Sequence, residues 1–157
     1  MKPLVYVETT VVSYLTARPS RDVVVVARQR ATRTWWDRER ARYDLVVSEA
    51  VIDEAARGDE GAARRRLAAL DGIPEAALTA EAEALARALL DPGPIPEKAA
   101  LDATHIAVAA LVGAEYLVTW NFKHLANAAL RKRIEQTCRS EGYEPPTICT
   151  PEELLDR

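Results

Sequence analysis

The chain has 157 residues, the size of one ordinary domain, and its 48% hydrophobic and 29% charged residues allow a buried core and exclude a disordered chain. Its net charge of −3 excludes a broadly basic nucleic-acid protein, so any contact with nucleic acid has to come from local patches. No apolar run is long enough to span a bilayer and no signal-peptide pattern opens the chain, so a cytoplasmic protein is expected.

Leu4-Val5-Tyr6-Val7 is a short apolar, β-branched run that predicts a buried strand, and Glu8 follows it directly. Thr9 or Thr10 caps a helix over residues 11–15, and Pro19-Ser20 breaks it. A longer helix is expected over residues 22–42, with Val24, Ala27, Ala31 and Trp35 on one stripe. Residues 43–47 read as a second strand. Ser48 caps the next helix, residues 49–57, which carries Glu54, and Gly58 closes it at the C′ position. A helix over 60–70 follows.

Thr79 opens a helix to residue 90, and Asp91-Pro92-Gly93-Pro94 is the clearest loop of the chain. Pro96 suits the first turn of the helix that carries Asp102, and Gly113 ends that helix. Residues 115–119 predict a third strand, leading into Trp120-Asn121, and residues 124–141 a helix. Thr147-Ile148-Cys149 is a last short strand, and Thr150-Pro151-Glu152-Glu153 has the pattern of a capping box. Cys138 and Cys149 have neither zinc-ligand spacing nor a disulfide framework and read as free thiols. With no repeat and no linker, residues 1–157 form one domain. Strands alternating with helices predict a parallel sheet and an α/β fold.

Three carboxylates then stand out. In an open α/β sheet, ligands bind outside the carboxyl ends of the strands, where the strand order reverses. Glu8 and Thr119-Trp120-Asn121 lie at such ends, while Glu54 and Asp102 lie on helices able to reach the same edge. Clustered carboxylates either raise their pKa values or bind a cation, and Mg²⁺ or Mn²⁺ suits an all-oxygen site. Such a cation offsets phosphate charge, lowers the pKa of a bound water and holds attack in line, so metal-assisted phosphoester chemistry is the leading expectation.

Four stretches read together resemble a family, the PIN-domain nucleases, and within it the VapC-type toxins of toxin–antitoxin pairs. Val5-Tyr6-Val7-Glu8-Thr9-Thr10-Val11-Val12 resembles the opening strand, acid and hydroxyl-bearing turn. Residues 48–58 resemble the second block, whose acid falls on Glu54. Asp102-Ala103-Thr104-His105-Ile106-Ala107-Val108-Ala109 and Leu117-Val118-Thr119-Trp120-Asn121-Phe122-Lys123-His124 resemble the third and fourth. The resemblance implies a three-layer PIN-like fold with a central parallel sheet of about four or five strands flanked by helices. It implies a Mg²⁺- or Mn²⁺-dependent endoribonuclease, neutralised by a cognate antitoxin and paired as a homodimer. Glu8 and Asp102 would be metal ligands, Glu54 would complete the acid cluster directly or through water, and a Thr10 or Thr119 hydroxyl would orient a water or phosphate. Two departures matter. The first acid is usually Asp, and here it is Glu8. The fourth block often supplies another Asp at the position of Asn121 or a few residues on, where this chain has Asn121 and His124. The lower negative charge predicts a site that prefers Mn²⁺ or needs high Mg²⁺.

Plainer roles compete for the same residues. Glu8 can be a surface residue after a strand, and Glu54 can be a solvated helical acid paired with Arg57 at i,i+3. His105 reads first as a packed core histidine, and His124 as a residue packing or capping near a helix start. The arginine-rich second helix, Arg64-Arg65-Arg66 and Arg131-Lys132-Arg133 read as solvated faces with Glu39, Glu60 and Glu135 nearby, yet they are also where RNA phosphate would have to dock. Trp35 and Trp36 point to different sides of a helix, so Trp36 is expected to be the exposed one, at a dimer or antitoxin interface. Two other activities stay open: a PIN scaffold that binds RNA or a protein without cutting, which Asn121 favours, and a carboxylate-metal phosphohydrolase acting on a small molecule.

Overall fold

A computed structural model of the chain describes residues 1–156. Five short strands form one sheet, β1 (Leu4–Val7), β2 (Asp44–Ser48), β3 (Glu75–Ala76), β4 (Tyr116–Val118) and β5 (Thr147–Cys149), in the order β3-β2-β1-β4-β5. Every pairing is parallel. Seven α-helices are described around it: α1 (Thr9–Thr16), α2 (Val23–Thr34), α3 (Glu49–Ala55), α4 (Glu60–Leu70), α5 (Ala80–Leu89), α6 (Ala100–Leu111) and α7 (Ala128–Ser140). The α/β class and the parallel sheet flanked by helices are as the sequence predicts.

The strand order fixes where a site can form. From β1 the chain steps outward to β2 and β3, then crosses back to place β4 on the other side of β1. The reversal therefore lies between β1 and β4, and the crevice at their carboxyl ends starts at Glu8 and Thr119. Glu8 N donates to Val118 O at 3.1 Å and Thr119 N to Cys149 O at 2.9 Å, which ties both turns to the sheet. β1 is buried over Val5, Tyr6 and Val7, as is expected of an inner parallel strand covered on both faces. Val46, Val47, Leu117 and Val118 complete that layer, against Leu85, Leu89, Ile106 and Ala107 from the helices.

Several local expectations need correction. The helix expected over 22–42 is not uniform. After α2 it widens into a π-helical turn, Trp35–Glu39, and tightens into a 3₁₀ turn, Arg40–Arg42. It buries only the later half of the stripe expected of it: Trp35 is buried and Ala31 packs against the core, but Val24 and Ala27 are exposed, and Gln29 and Thr32 are buried instead. The buried face is polar because its partners are polar. Gln29 donates to Arg18 O and accepts from Ser20 N, and Thr32 accepts from the Trp120 indole at 2.8 Å. The expected Trp35/Trp36 division holds in part. Trp35 is fully buried with an indole N–H that has no hydrogen-bond partner among the described residues, whereas Trp36 is half-buried beneath Arg40.

The last long helix starts at Ala128 rather than at His124. Asn121 Oδ1 accepts from Lys123 N and His124 N, both at 3.1 Å, and this Asx turn diverts the chain before Asn127 caps α7. β3 is a strand the sequence does not announce. Gly113 directly follows the C-cap of α6 with the positive φ (75°) that closing a helix in the left-handed region requires, whereas α3 is capped by Ala56 and Gly58, at φ 83°, lies beyond that cap. Glu153 accepts from Thr150 N at 2.7 Å, as in the expected capping box. Cys138 and Cys149 are free and buried, and burial pushes their thiols up to about 11 and 12.

Candidate functional site

The sheet edge gathers four acids or amides into two connected groups. The first centres on Glu8, the N-cap of α1, which is only 3% exposed. Its Oε2 accepts from Thr10 N at 3.1 Å. Its Oε1 accepts from the Thr10 hydroxyl and, at 2.6 Å, from the Thr119 hydroxyl. Each hydroxyl in turn accepts a backbone N–H, Trp120 N on Thr10 and Asn121 N on Thr119. Thr10 and Thr119 are thus committed to holding Glu8. Burial pushes the Glu8 carboxyl up, and the nearby His105 with the Thr10 and Thr119 hydrogen bonds reduces that rise without cancelling it.

The second group runs from the core to the surface. Ser48 Oγ and Tyr6 Oη lie 2.7 Å apart, Tyr6 Oη lies 2.7 Å from His105 Nδ1, and His105 Nε2 lies 2.6 Å from Glu54 Oε1. Thr9 donates to the same Glu54 oxygen at 2.7 Å. Burial works against a charged His105, but the Glu54 hydrogen bond and the charges of Glu8, Glu54 and Asp102 outweigh it and raise its pKa. Burial likewise pushes Glu54 up, yet the His105 hydrogen bond and charge, with Thr9 and Arg57, carry its pKa below the ordinary value. The charged form of the pair is therefore the favoured one. Imidazolium then donates both N–H groups, one to Glu54 and one to Tyr6, whose own hydroxyl donates to Ser48. When His105 is neutral, Tyr6 donates to Nδ1 and Ser48 donates to Tyr6. His105 is the packed core histidine the sequence suggests, and it also holds Glu54. Glu54 is a member of this chain rather than a free partner of Arg57.

Asp102 sits in the first turn of α6, with its carboxylate held from the other side. Asn121 Nδ2 donates to Oδ1 at 3.1 Å, and His124 Nδ1 lies 3.1 Å from Oδ2. Asn121, standing where a further acid is expected, therefore orients one. Glu54, Lys98, Asp102, Lys123 and His124 line one open cleft of about 530 Å³.

The site can hold a metal ion, with a membership that differs from the expected pair. One ligand atom each from Glu8, Glu54 and His105 lies within 4.8 Å of the others. Asp102 stands outside that trio and shares the cleft with Glu54 instead. Two donors on one octahedral cation at about 2.1 Å are roughly 3 Å apart. At 2.6 Å, His105 Nε2 and Glu54 Oε1 are closer than that and share a proton. His105 therefore acts here as the outer partner that orients a carboxylate. Sequence reasoning left Tyr6, Thr9 and Ser48 out of the site. The available signal was a tyrosine in a fully apolar strand, whose hydroxyl must find a buried partner. No protein-family model, no curated protein and no solved structure matches the chain.

Proposed function

We propose that the protein is a divalent-cation-dependent phosphodiesterase that hydrolyses RNA, the toxin of a toxin–antitoxin pair, with a cognate antitoxin and a second copy of itself as partners. The observation that carries the chemistry is the cleft that Glu54 and Asp102 share with Lys98 and Lys123 at the carboxyl edge of a parallel sheet. The carboxylates suit Mg²⁺ or Mn²⁺. When bound, the cation supplies charge neutralisation of the phosphate and an acidified water.

The chain's own residues supply the rest. His105 and Thr9 fix Glu54, while Asn121 and His124 fix Asp102, so both carboxylates meet the cleft in set orientations. Against the burial of Glu54, the His105 hydrogen bond and charge lower its pKa and keep that carboxylate ionised near neutral pH, available to hold a water or take its proton. Lys98 and Lys123 are exposed and have no ion-pair partner among the described residues, which leaves two cations for phosphate.

A second reading, RNA or protein binding without cleavage, is favoured by Glu8. It is 3% exposed and accepts three hydrogen bonds, so little of it is left for a cation. Incubation of purified protein with structured RNA and Mn²⁺, beside Asp102→Asn, separates the two. Cleavage by the wild type that disappears in the variant supports the first. RNA bound and left intact by both supports the second.

A further inference from the structure

Phe122 is the residue of the fourth sequence block that the cleft chemistry leaves unused. It lies in the chain between Asn121, whose side chain holds Asp102, and Lys123, which lines the cleft. It is 44% exposed, unusual for phenylalanine, although its position is fixed. The Arg28 guanidinium lies 4.8 Å from its ring centre, over one face, and the Trp120 ring meets it edge-on with centres 6.1 Å apart. Arg28 is itself held, donating to the Tyr14 hydroxyl at 3.3 Å. The ring surface that remains open is therefore a fixed aromatic face, backed by a cation and set one residue from the cleft-lining Lys123.

We infer that Phe122 and the two cleft lysines form a nucleotide subsite, which takes an unpaired nucleotide next to the phosphate in the cleft. The base stacks on the open face of Phe122, and the adjoining phosphates lie against Lys98 and Lys123. This rests on the phosphodiesterase reading and narrows its substrate to single-stranded or looped RNA. Two observations and one general pattern favour a nucleotide over a protein segment. The aromatic face is a single ring rather than a broad apolar patch. The neighbouring cleft carries two lysines, Lys98 and Lys123, with no ion-pair partner among the described residues. The pattern of one stacking ring with cations for the backbone is how sequence-tolerant single-strand sites are built.

The test measures binding apart from cleavage. A fluorescein-labelled, unstructured oligoribonucleotide and a blunt RNA duplex are titrated in EDTA, with anisotropy as the readout. Phe122→Ala should weaken single-strand binding about tenfold and leave duplex binding unchanged. Phe122→Trp should restore it, while Phe122→Leu, which keeps the apolar bulk and loses the stacking face, should not. Lys98→Gln with Lys123→Gln should weaken both RNAs and flatten the salt dependence. Single-strand binding that is unaffected by Phe122→Ala, or fully rescued by Leu, overturns the subsite, as does a Phe122→Ala defect confined to self-association. In any of those cases, Mn²⁺-dependent cleavage by the wild type that Asp102→Asn abolishes leaves the phosphodiesterase reading standing.

Discussion

Replacing His105 by leucine tests whether the buried polar chain is held together at its middle. The substitution keeps the bulk of a fully buried residue and removes two contacts, 2.7 Å to Tyr6 and 2.6 Å to Glu54. A neutral hydrogen bond contributes about 1 kcal/mol and one to a charged group about 1.5–3 kcal/mol. Tyr6 keeps Ser48, and Glu54 keeps Thr9 and the open cleft, so neither is left wholly unsatisfied. The expected loss is about 2–4 kcal/mol in urea denaturation, or roughly 4–16 °C in melting temperature for a chain of this size. A double-mutant cycle with Glu54→Ala, in metal-free buffer, isolates the pair; the interaction of Glu8 with His105 cancels along its sides. The pH dependence has a definite sign. His105 has a raised folded pKa, so its contribution is complete below its ordinary value of 6.5 and fades as pH rises through the raised one. Glu54 has a lowered one, so its contribution is complete above its ordinary value of 4.5 and fades as pH falls through the lowered one. The coupling should therefore be largest between pH 4.5 and 6.5 and shrink on either side. A loss below about 0.5 kcal/mol, the range of an ordinary surface change, would refute the reasoning, and so would a coupling that grows above neutral pH.

Asn121→Asp replaces a donor 3.1 Å from Asp102 with a like charge. It should cost about 1–2 kcal/mol in EDTA and tighten Mn²⁺ and Mg²⁺ binding about tenfold by calorimetry; unchanged affinities would show that the missing charge does not limit the site. For the wild type, calorimetry should give tighter Mn²⁺ than Mg²⁺ binding, and equally tight Mg²⁺ binding contradicts this. Thr119→Val removes a hydroxyl that stabilises charged Glu8, so its stability loss should be greater at pH 8 than at pH 4, and equal losses would refute that role. Trp35→Ala should cost about 3–5 kcal/mol by urea denaturation, and half-buried Trp36→Ala clearly less. Sedimentation of Trp36→Ala tests the expected homodimer, because an interface residue should shift it toward monomer.

Elements with strong local patterns were legible in the chain. β1, β2, β4 and β5 are short β-branched runs, and their alternation with helices implies the parallel sheet. β3 was not, because Glu75-Ala76 has no apolar pattern and is a strand only through its pairing with β2. α2 misled because its buried face is Gln29 and Thr32, whose partners Arg18, Ser20 and Trp120 come from elsewhere in the chain. The same limit applies to the site. Glu8 and Asp102 are legible from position, at a strand end and as a polar residue in an apolar helix, whereas Glu54 is legible mainly through the family resemblance. The link from Glu54 to His105 spans 51 residues, and that from Tyr6 to His105 spans 99, so no local pattern encodes them.

The reversal of strand order between β1 and β4 also decides when the site comes into being. During synthesis the N-terminal strand emerges early with Glu8 at its end. The hydroxyl and the carbonyl that anchor that turn, on Thr119 and Val118, come more than a hundred residues later. Asp102 likewise waits for Asn121 and His124. A chain that stops short of β4 still has Thr10 to hold Glu8 and Thr9 and His105 to hold Glu54, but it lacks Thr119 for Glu8 and both holders of Asp102. Contacts of such long sequence separation form late and slowly. Glu8 and Asp102 are therefore made before Thr119, Asn121 and His124, the residues that complete their hydrogen bonding.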